Sequence, residues 1–368
     1  MTTRVMKVLL LFGTRPEAIK LFPVIKRLEG EPSIETILCI SAQQRDLLDQ
    51  TLSALSLIPD YDLDVMIHNQ SLFHTTSTIL SRIEPVLREV HPGLVIVQGD
   101  TQTTLCGALS AYYARVPVAH VEAGLRTGDK FSPYPEEMNR RLVDQIADLH
   151  FAPTHHARDN FKSEGIPEEG IFVTGNTELD ALYHVRDRLR PTTTFDFPGH
   201  IVIATMHRRE SFGAGIHHVC AALSAIAKRN RDVTIVVPIH PNPHVQKQIR
   251  RALKSKPRIV LLDPIDYVSF VHLLAHARLI LTDSGGLQEA AVGLHIPLLV
   301  LRDKTERTEG IDAGAALLVG MDTEHIVAAR EHLLSDEDAR RKMANAKNPY
   351  GDGHAADLIV DIIKERFI

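Results

Sequence analysis

Short apolar runs rich in β-branched residues alternate with amphipathic segments from one end of this 368-residue chain to the other. No other feature constrains the fold as much, because strand and helix taking turns bury their apolar faces best as parallel sheets with helices wound on both sides. Strands are expected at 5–12, 35–41, 94–99, 117–122, 148–152 and 171–174, and again at 201–205, 233–239, 258–262, 279–282, 297–301 and 316–319. Between them run helical patterns at 17–29, 44–57, 74–90, 103–114, 136–147, 217–229, 245–254, 268–276 and 324–334. LVIV at 94–97 and LILT at 279–282 are apolar without alternation, which fits strands covered on both faces.

The length exceeds what one core usually serves, so two domains are expected. The boundary is expected within 175–200, where GNTELDALYHVRDRL leads into the Pro/Thr/Gly stretch PTTTFDFPGH. Residues 1–176 and 177–353 then form two Rossmann-like, doubly wound parallel-sheet α/β domains, facing each other across a central cleft where open sheets bind ligands. The segment 354–368 reads as a helix after the Gly-rich break NPYGDG, packing back on the first domain.

The formal charge of −5 offers no basic face to nucleic acid and no polybasic membrane anchor. No apolar stretch is long enough to cross a bilayer, and the initial VLLLF runs straight into Gly-Thr-Arg-Pro as a first strand would. Cys39, Cys106 and Cys220 lie far apart without CxxC spacing, which points to a reducing cytoplasm. The twenty histidines include the adjacent pairs His155-His156 and His217-His218 but no HExxH, and we expect no metal site.

Candidate chemistry sits at the ends of strands. The run Val116 to Val121 ends in Glu122, a Gly/Pro/Ser-rich loop follows, and Glu136 and Glu137 open an arginine-dense segment. Taken alone this is a solvated loop with a helix cap at Pro135-Glu136-Glu137; recurrence of the arrangement at other strand ends favours a reaction site. Gly13-Thr14-Arg15-Pro16-Glu17 reads as a capping box that starts a helix, with Gly13 letting a ligand near the backbone and Arg15 awaiting an anion. In TDSGGLQEA, Ser284-Gly285-Gly286 is expected to turn tightly ahead of a helix starting at Leu287, offering amides and a hydroxyl to a phosphate. The spacing is neither a Walker A loop nor GxGxxG. His207, Arg208 and Arg209 follow the seventh strand, as a proton carrier and cations for a departing phosphate or as plain surface charge. Asp100 ends the strand VIVQ, as a catalytic acid or as the cap of the next helix. Acids from the first half and phosphate ligands mainly from the second suggest a nucleotide diphosphate whose reacting end points at carboxylates.

GTRPEAIK, QGDTQTT, HVEAGLRTGDKFSPYPEEMNR, GNTELDAL, HRRESFG, TDSGGLQE, LRDKTER and NPYGDG, in this order, resemble the non-hydrolysing UDP-N-acetylglucosamine 2-epimerases, from about residue 7 to residue 368. The resemblance implies a GT-B type fold, a homodimer, and interconversion of UDP-N-acetylglucosamine and UDP-N-acetylmannosamine for bacterial surface polysaccharides, without metal or NAD. It implies departure of UDP, a 2-acetamidoglucal intermediate, and re-addition with the proton delivered to the other face. Asp100, Glu122, Glu136 and His207 fall on the family's catalytic positions. Arg15, Lys20, Ser284, Gly285 and Gly286 fall on its substrate-binding positions, and Phe270 near the expected uracil pocket. Gln43, Glu136, Arg208 and His240 match a second, allosteric substrate site.

The chain departs from the family pattern in places. Ala290 stands where a second glutamate grips the ribose, Asp46 and Asn69 replace a glutamine and an arginine of the allosteric site, and LRDKTERTEG carries Lys304 and Thr308. Three alternatives share the fold: a glycosyltransferase, a hydrolysing epimerase releasing N-acetylmannosamine, and a catalytically silent nucleotide-sugar sensor.

Overall fold

The structure is a computed structural model and describes residues 5–67, 70–206, 213–240, 242–305 and 307–368. The chain divides into two compact units, the first made of residues 1–183 and 350–368, the second of 184–349.

In the first unit β1 (Met6–Phe12), α1 (Arg15–Glu29), β2 (Ile34–Ile40), α2 (Arg45–Ala54), β3 (Tyr61–Asp62), α3 (Leu72–Val90) and β4 (Leu94–Gln98) follow in order. Then come α4 (Gln102–Tyr113), β5 (Val118–Val121), α5 (Glu136–Ile146), β6 (Leu149–Ala152), α6 (His155–Glu164), β7 (Ile171–Val173) and α7 (Thr177–Arg188). Its seven strands are ordered β3-β2-β1-β4-β5-β6-β7. Every pair is parallel, with Met6 beside Ile34 through Phe12 beside Ile40, and Val8 beside Leu94. Strand order reverses between β1 and β4, so the crevice for ligands opens beyond the carboxyl ends of those two strands. Leu9, Leu11, Val95 and Val97 have no exposed surface and join α3 and α4 residues in one core, the covered-sheet pattern their sequences implied.

The second unit contains β8 (His200–Thr205), α8 (Ala214–Arg229), β9 (Val233–Pro238), α9 (Pro243–Leu253), β10 (Ile259–Leu262), α10 (Tyr267–Ala275) and β11 (Ala277–Thr282). It continues with α11 (Gly285–Gly293), β12 (Leu298–Val300), α12 (Thr308–Asp312), β13 (Ala316–Leu318), α13 (Thr323–Ser335) and α14 (Glu337–Ala344). The strand order β10-β9-β8-β11-β12-β13 again reverses beside the first strand, between β8 and β11. All of these pairs are parallel too.

Three expectations need correction. The expected helices omit α7, which occupies the first part of 175–200, and the division between units falls inside that helix. The two-residue β3 adds a seventh strand that no apolar run announced. α11 starts at Gly285 rather than Leu287, so the paired glycines are its first turn. The closing helix α15 (Ala355–Phe367) packs on α1 within the first unit. Arg27 meets Asp357 at 3.1 Å and Asp361 at 3.4 Å, Lys364 meets Glu31 at 2.8 Å, and the Ala356 amide donates to Asp180 at 2.8 Å.

Candidate active site

Beyond β1, Glu17 is the organising group. Thr14 Oγ1 (2.7 Å) and the Gly13 amide (3.0 Å) donate to one carboxylate oxygen, Thr101 (2.7 Å) and Thr104 (3.2 Å) to the other. Burial nevertheless pushes its pKa above the ordinary carboxylate value. The expected capping box therefore does not form: the Thr14 hydroxyl caps no amide, and Glu17 instead ties the β1–α1 turn to the β4–α4 turn. Gly13 is also small for a different reason than expected. A side chain there would meet Ser41 Oγ at 2.0 Å and Thr103 Oγ1 at 2.5 Å, so protein hydroxyls rather than a ligand need the space. Arg15, the first residue of α1, is exposed, and Lys20, on the next turn, is buried.

Lys20 Nζ reaches Glu122 at 2.6 Å and Glu178 at 3.7 Å. Glu122 follows β5 with φ 66°, a left-handed backbone that a residue with a Cβ adopts at a cost of about 1–3 kcal/mol and that typifies functional turns. Gln98, the last residue of β4, donates to the second oxygen of Glu122. Two residues further on, Asp100 accepts from Arg140 Nη2 at 2.6 Å, and its carbonyl accepts from Asn139 at 2.9 Å. Thr101, not Asp100, caps α4, so the capping alternative for Asp100 does not hold. Glu136 opens α5 one turn before Arg140, on the same helix face. Its Oε2 is buried with no hydrogen-bond partner, the state of a carboxylate built to meet something else. These bonds bring Asp100, Glu122 and Arg140 to the carboxyl ends of β4 and β5, with Glu136 on the helix that supplies Arg140.

Sequence reasoning missed the carboxylates that hold this cluster in place. Glu137, fully buried, accepts from the amides of Thr127 (3.0 Å) and Gly128 (3.3 Å) and from Arg141 (3.2 Å), fixing the loop after β5. His120 on β5 sets Nδ1 2.6 Å from Asp144 and Nε2 2.7 Å from the Gly99 carbonyl, and Asp144 also meets Arg126 at 2.8 Å. Burial would raise the Asp144 pKa, but His120 and Arg126 hold it below the ordinary value. Glu137 and Arg126 lie in the acid- and arginine-dense stretch 117–141, which does not say who meets whom, and Asp144 lies beyond it.

In the second unit, Ser284 precedes α11, and its hydroxyl caps no amide of that helix. Gln288 donates to the Ser284 carbonyl at 3.2 Å and accepts from Thr305 at 2.8 Å. Arg307, paired with Glu289 at 3.1 Å, lies so close that a side chain at Gly285 would meet its guanidinium carbon at 2.9 Å. A helix N-terminus opened by Gly285 and Gly286, with an arginine laid against it, suits an anion. Thr305 and Arg307 lie in the LRDKTER motif but were not among the residues singled out. Phe270 is half-buried in the first turn of α10, and Ala290 is buried in α11.

Of the allosteric set, Gln43 accepts from Thr103 at 3.0 Å, and the exposed His240 accepts from the Asn242 amide at 3.2 Å. His207, Arg208 and Arg209, like Asn69, lie outside the described residues. Among the described residues no cluster of His, Cys, Asp and Glu could hold a metal ion, and no helix is long and apolar enough to cross a membrane.

The family profile for UDP-N-acetylglucosamine 2-epimerase matches residues 26–364. A UDP-N-acetylglucosamine 2-epimerase of Yersinia pestis is 48% identical over 370 residues, covering 98% of each chain. The crystal structure of the Neisseria meningitidis UDP-GlcNAc 2-epimerase bound to UDP-GlcNAc matches with a TM-score of 0.91 at 43% identity, covering 98% of this chain and 100% of that one. The Methanocaldococcus jannaschii enzyme, in complex with UDP-GlcNAc and UDP, matches with a TM-score of 0.81 at 35% identity over 98% and 100% of the two chains. Two Rossmann-ordered parallel sheets with their candidate groups at the strand ends make this an α/β protein of the GT-B class. The chain belongs to the UDP-N-acetylglucosamine 2-epimerase family.

Proposed function

We propose that the chain interconverts UDP-N-acetylglucosamine and UDP-N-acetylmannosamine without hydrolysis, by letting UDP leave and return. The observation that carries this reading is the acidic cluster at the ends of β4 and β5, where Asp100 and Glu122 are held by Arg140, Lys20 and Gln98 and one Glu136 oxygen lacks a partner. The hydrogen on the sugar's second carbon has no neighbouring carbonyl, so it becomes removable only as the diphosphate departs and positive charge grows on the ring. Carboxylates near that ring stabilise the charge and move the proton, a role that contributes roughly 10²–10⁴-fold. Anion-ready groups at Arg15, Ser284, Gly285, Gly286 and Arg307 suit the diphosphate; losing one donor of this kind costs about 2.7–4 kcal/mol. Lys20 balances Glu122 between turnovers. His207 serves the departing phosphate, Phe270 the uracil, and Gln43, Arg208 and His240 a second substrate molecule. The units share the labour: residues 1–183 with 350–368 supply the acids for the sugar, and 184–349 most of the groups for UDP. The enzyme works as a cytoplasmic homodimer.

Incubating the purified chain with UDP-N-acetylglucosamine and separating the products tests this reading. The expected product is UDP-N-acetylmannosamine in equilibrium with substrate. Free N-acetylmannosamine would mean hydrolysis. No reaction without an added acceptor would mean a transferase or a sensor.

A further inference from the structure

The second sheet has another polar site, at the amino ends of its strands. A cavity of about 140 Å³ lies at the amino ends of β8, β9 and β11, lined by His200, Asn230, Asp232, Arg278, Arg330 and Glu331. Arg330, on α13, is fully buried, yet its Nε, Nη1 and Nη2 all lack a hydrogen-bond partner. Arg278 enters from β11, where the register with β8 slips between Ala277 and Leu279. Its Nη2 donates to Glu337 at 2.9 Å, and its Nε is buried without an acceptor.

Two arginines on one cavity thus expose buried donors that the protein does not satisfy. The large majority of buried side-chain donors are bonded, and a guanidinium cannot escape by losing its proton. The acids nearby do not close the gap. Glu331 comes only within 3.4 Å of Arg330 Nη1 outside hydrogen-bond geometry, while its other oxygen accepts from Asn230 at 3.3 Å. The Asp232 side chain is 71% exposed and stands 4.0 Å from His200 Nε2.

The geometry points to an oxyanion site here, taking a phosphate group between Arg330 and Arg278 with His200 beside it. The cavity admits a tetrahedral oxyanion and a few waters at about 30 Å³ each, but falls below the roughly 300 Å³ of pockets that enclose an organic ligand. An adjoining groove of about 470 Å³ shares His200 and Arg278 and carries Phe195 stacked on Phe197 at 5.8 Å, so a phosphate ester has room for its organic part. Arg278 stands near the start of β11 and Ser284 beyond its end, roughly 15–20 Å apart by strand rise, so this site is separate from the strand-end groups described above.

Thermal unfolding of the full chain in phosphate against chloride of matched ionic strength tests the site, using wild type, Arg15→Ala, Arg330→Met and Arg278→Gln. Phosphate is expected to raise Tm by a few degrees in wild type and in Arg15→Ala, which reports on the strand-end site, and in neither cavity variant. If Arg330→Met does not fold, Arg278→Gln carries the comparison. Glycerol 3-phosphate is the second probe: a larger shift than phosphate identifies an ester ligand, an equal shift free phosphate. The same phosphate shift in all four proteins, or none in wild type, overturns the proposal and leaves a water-filled cavity.

Discussion

Burial sorts the carboxylates of the first unit by task. Glu17 and Glu137 are fully enclosed and tie turns together, whereas Asp100, Glu122 and Glu136 are only partly buried. As candidates, Asp100 and Glu122 were legible because each follows an apolar run, and Glu136 because it opens an arginine-dense segment. The enclosed pair was not, because Glu17 takes its meaning from Thr101 and Thr104, more than eighty residues away. Glu122→Gln keeps the shape but removes the charge, and should lower turnover by roughly 10²–10⁴-fold while leaving the Kd for UDP nearly unchanged. Steady-state kinetics beside calorimetric UDP titration checks this, and unchanged turnover would remove Glu122 from the mechanism. At Ala290, glutamate would regain a charged hydrogen-bond acceptor for the ribose. Such a bond is worth about 1.5–3 kcal/mol, so Ala290→Glu should tighten UDP binding about 10–100-fold by the same titration. No change would mean that another group already serves the ribose.

Among the elements, the ones hidden in the sequence are those whose stability comes from tertiary partners. The paired glycines opening α11 are poor helix formers, but Gly285 is needed for the close approach of Arg307. β3, with two residues, is too short to leave a pattern. α7 is absent from the expected helices, yet Lys20 reaches Glu178 on it and the Ala356 amide reaches Asp180. Asp180 also gives this region an unusual pH dependence. Its Oδ2 is buried without a partner, and desolvation raises its pKa to about 6 from 3.8. A carboxyl with a raised folded-state pKa contributes stability below its unfolded pKa and loses it as pH rises through the folded one. The shift corresponds to about 3 kcal/mol, lost between about pH 4 and 6. Asp180→Asn keeps the Oδ1 acceptor without the charge, so its urea-unfolding stability should gain on wild type across that window. Parallel pH profiles for the two proteins would refute the assignment.

For the whole molecule, the alternation of strands and helices was enough to foresee two doubly wound sheets, since parallel strands need helical crossovers and each crossover leaves its own period in the chain. The candidate groups were legible to the same extent, because such sheets bring side chains together at strand ends; their hydrogen-bond partners depend on register and packing, which one sequence does not display. His207 and the arginines after β8 belong to the same expectation but lie outside the described residues. The central claim is that the diphosphate leaves and returns while a carboxylate exchanges the sugar's C2 proton with solvent. Running the reaction in heavy water and reading C2 by NMR tests it directly. UDP-N-acetylmannosamine carrying deuterium at C2 is the predicted result, and epimer formed with its original hydrogen retained there would contradict it.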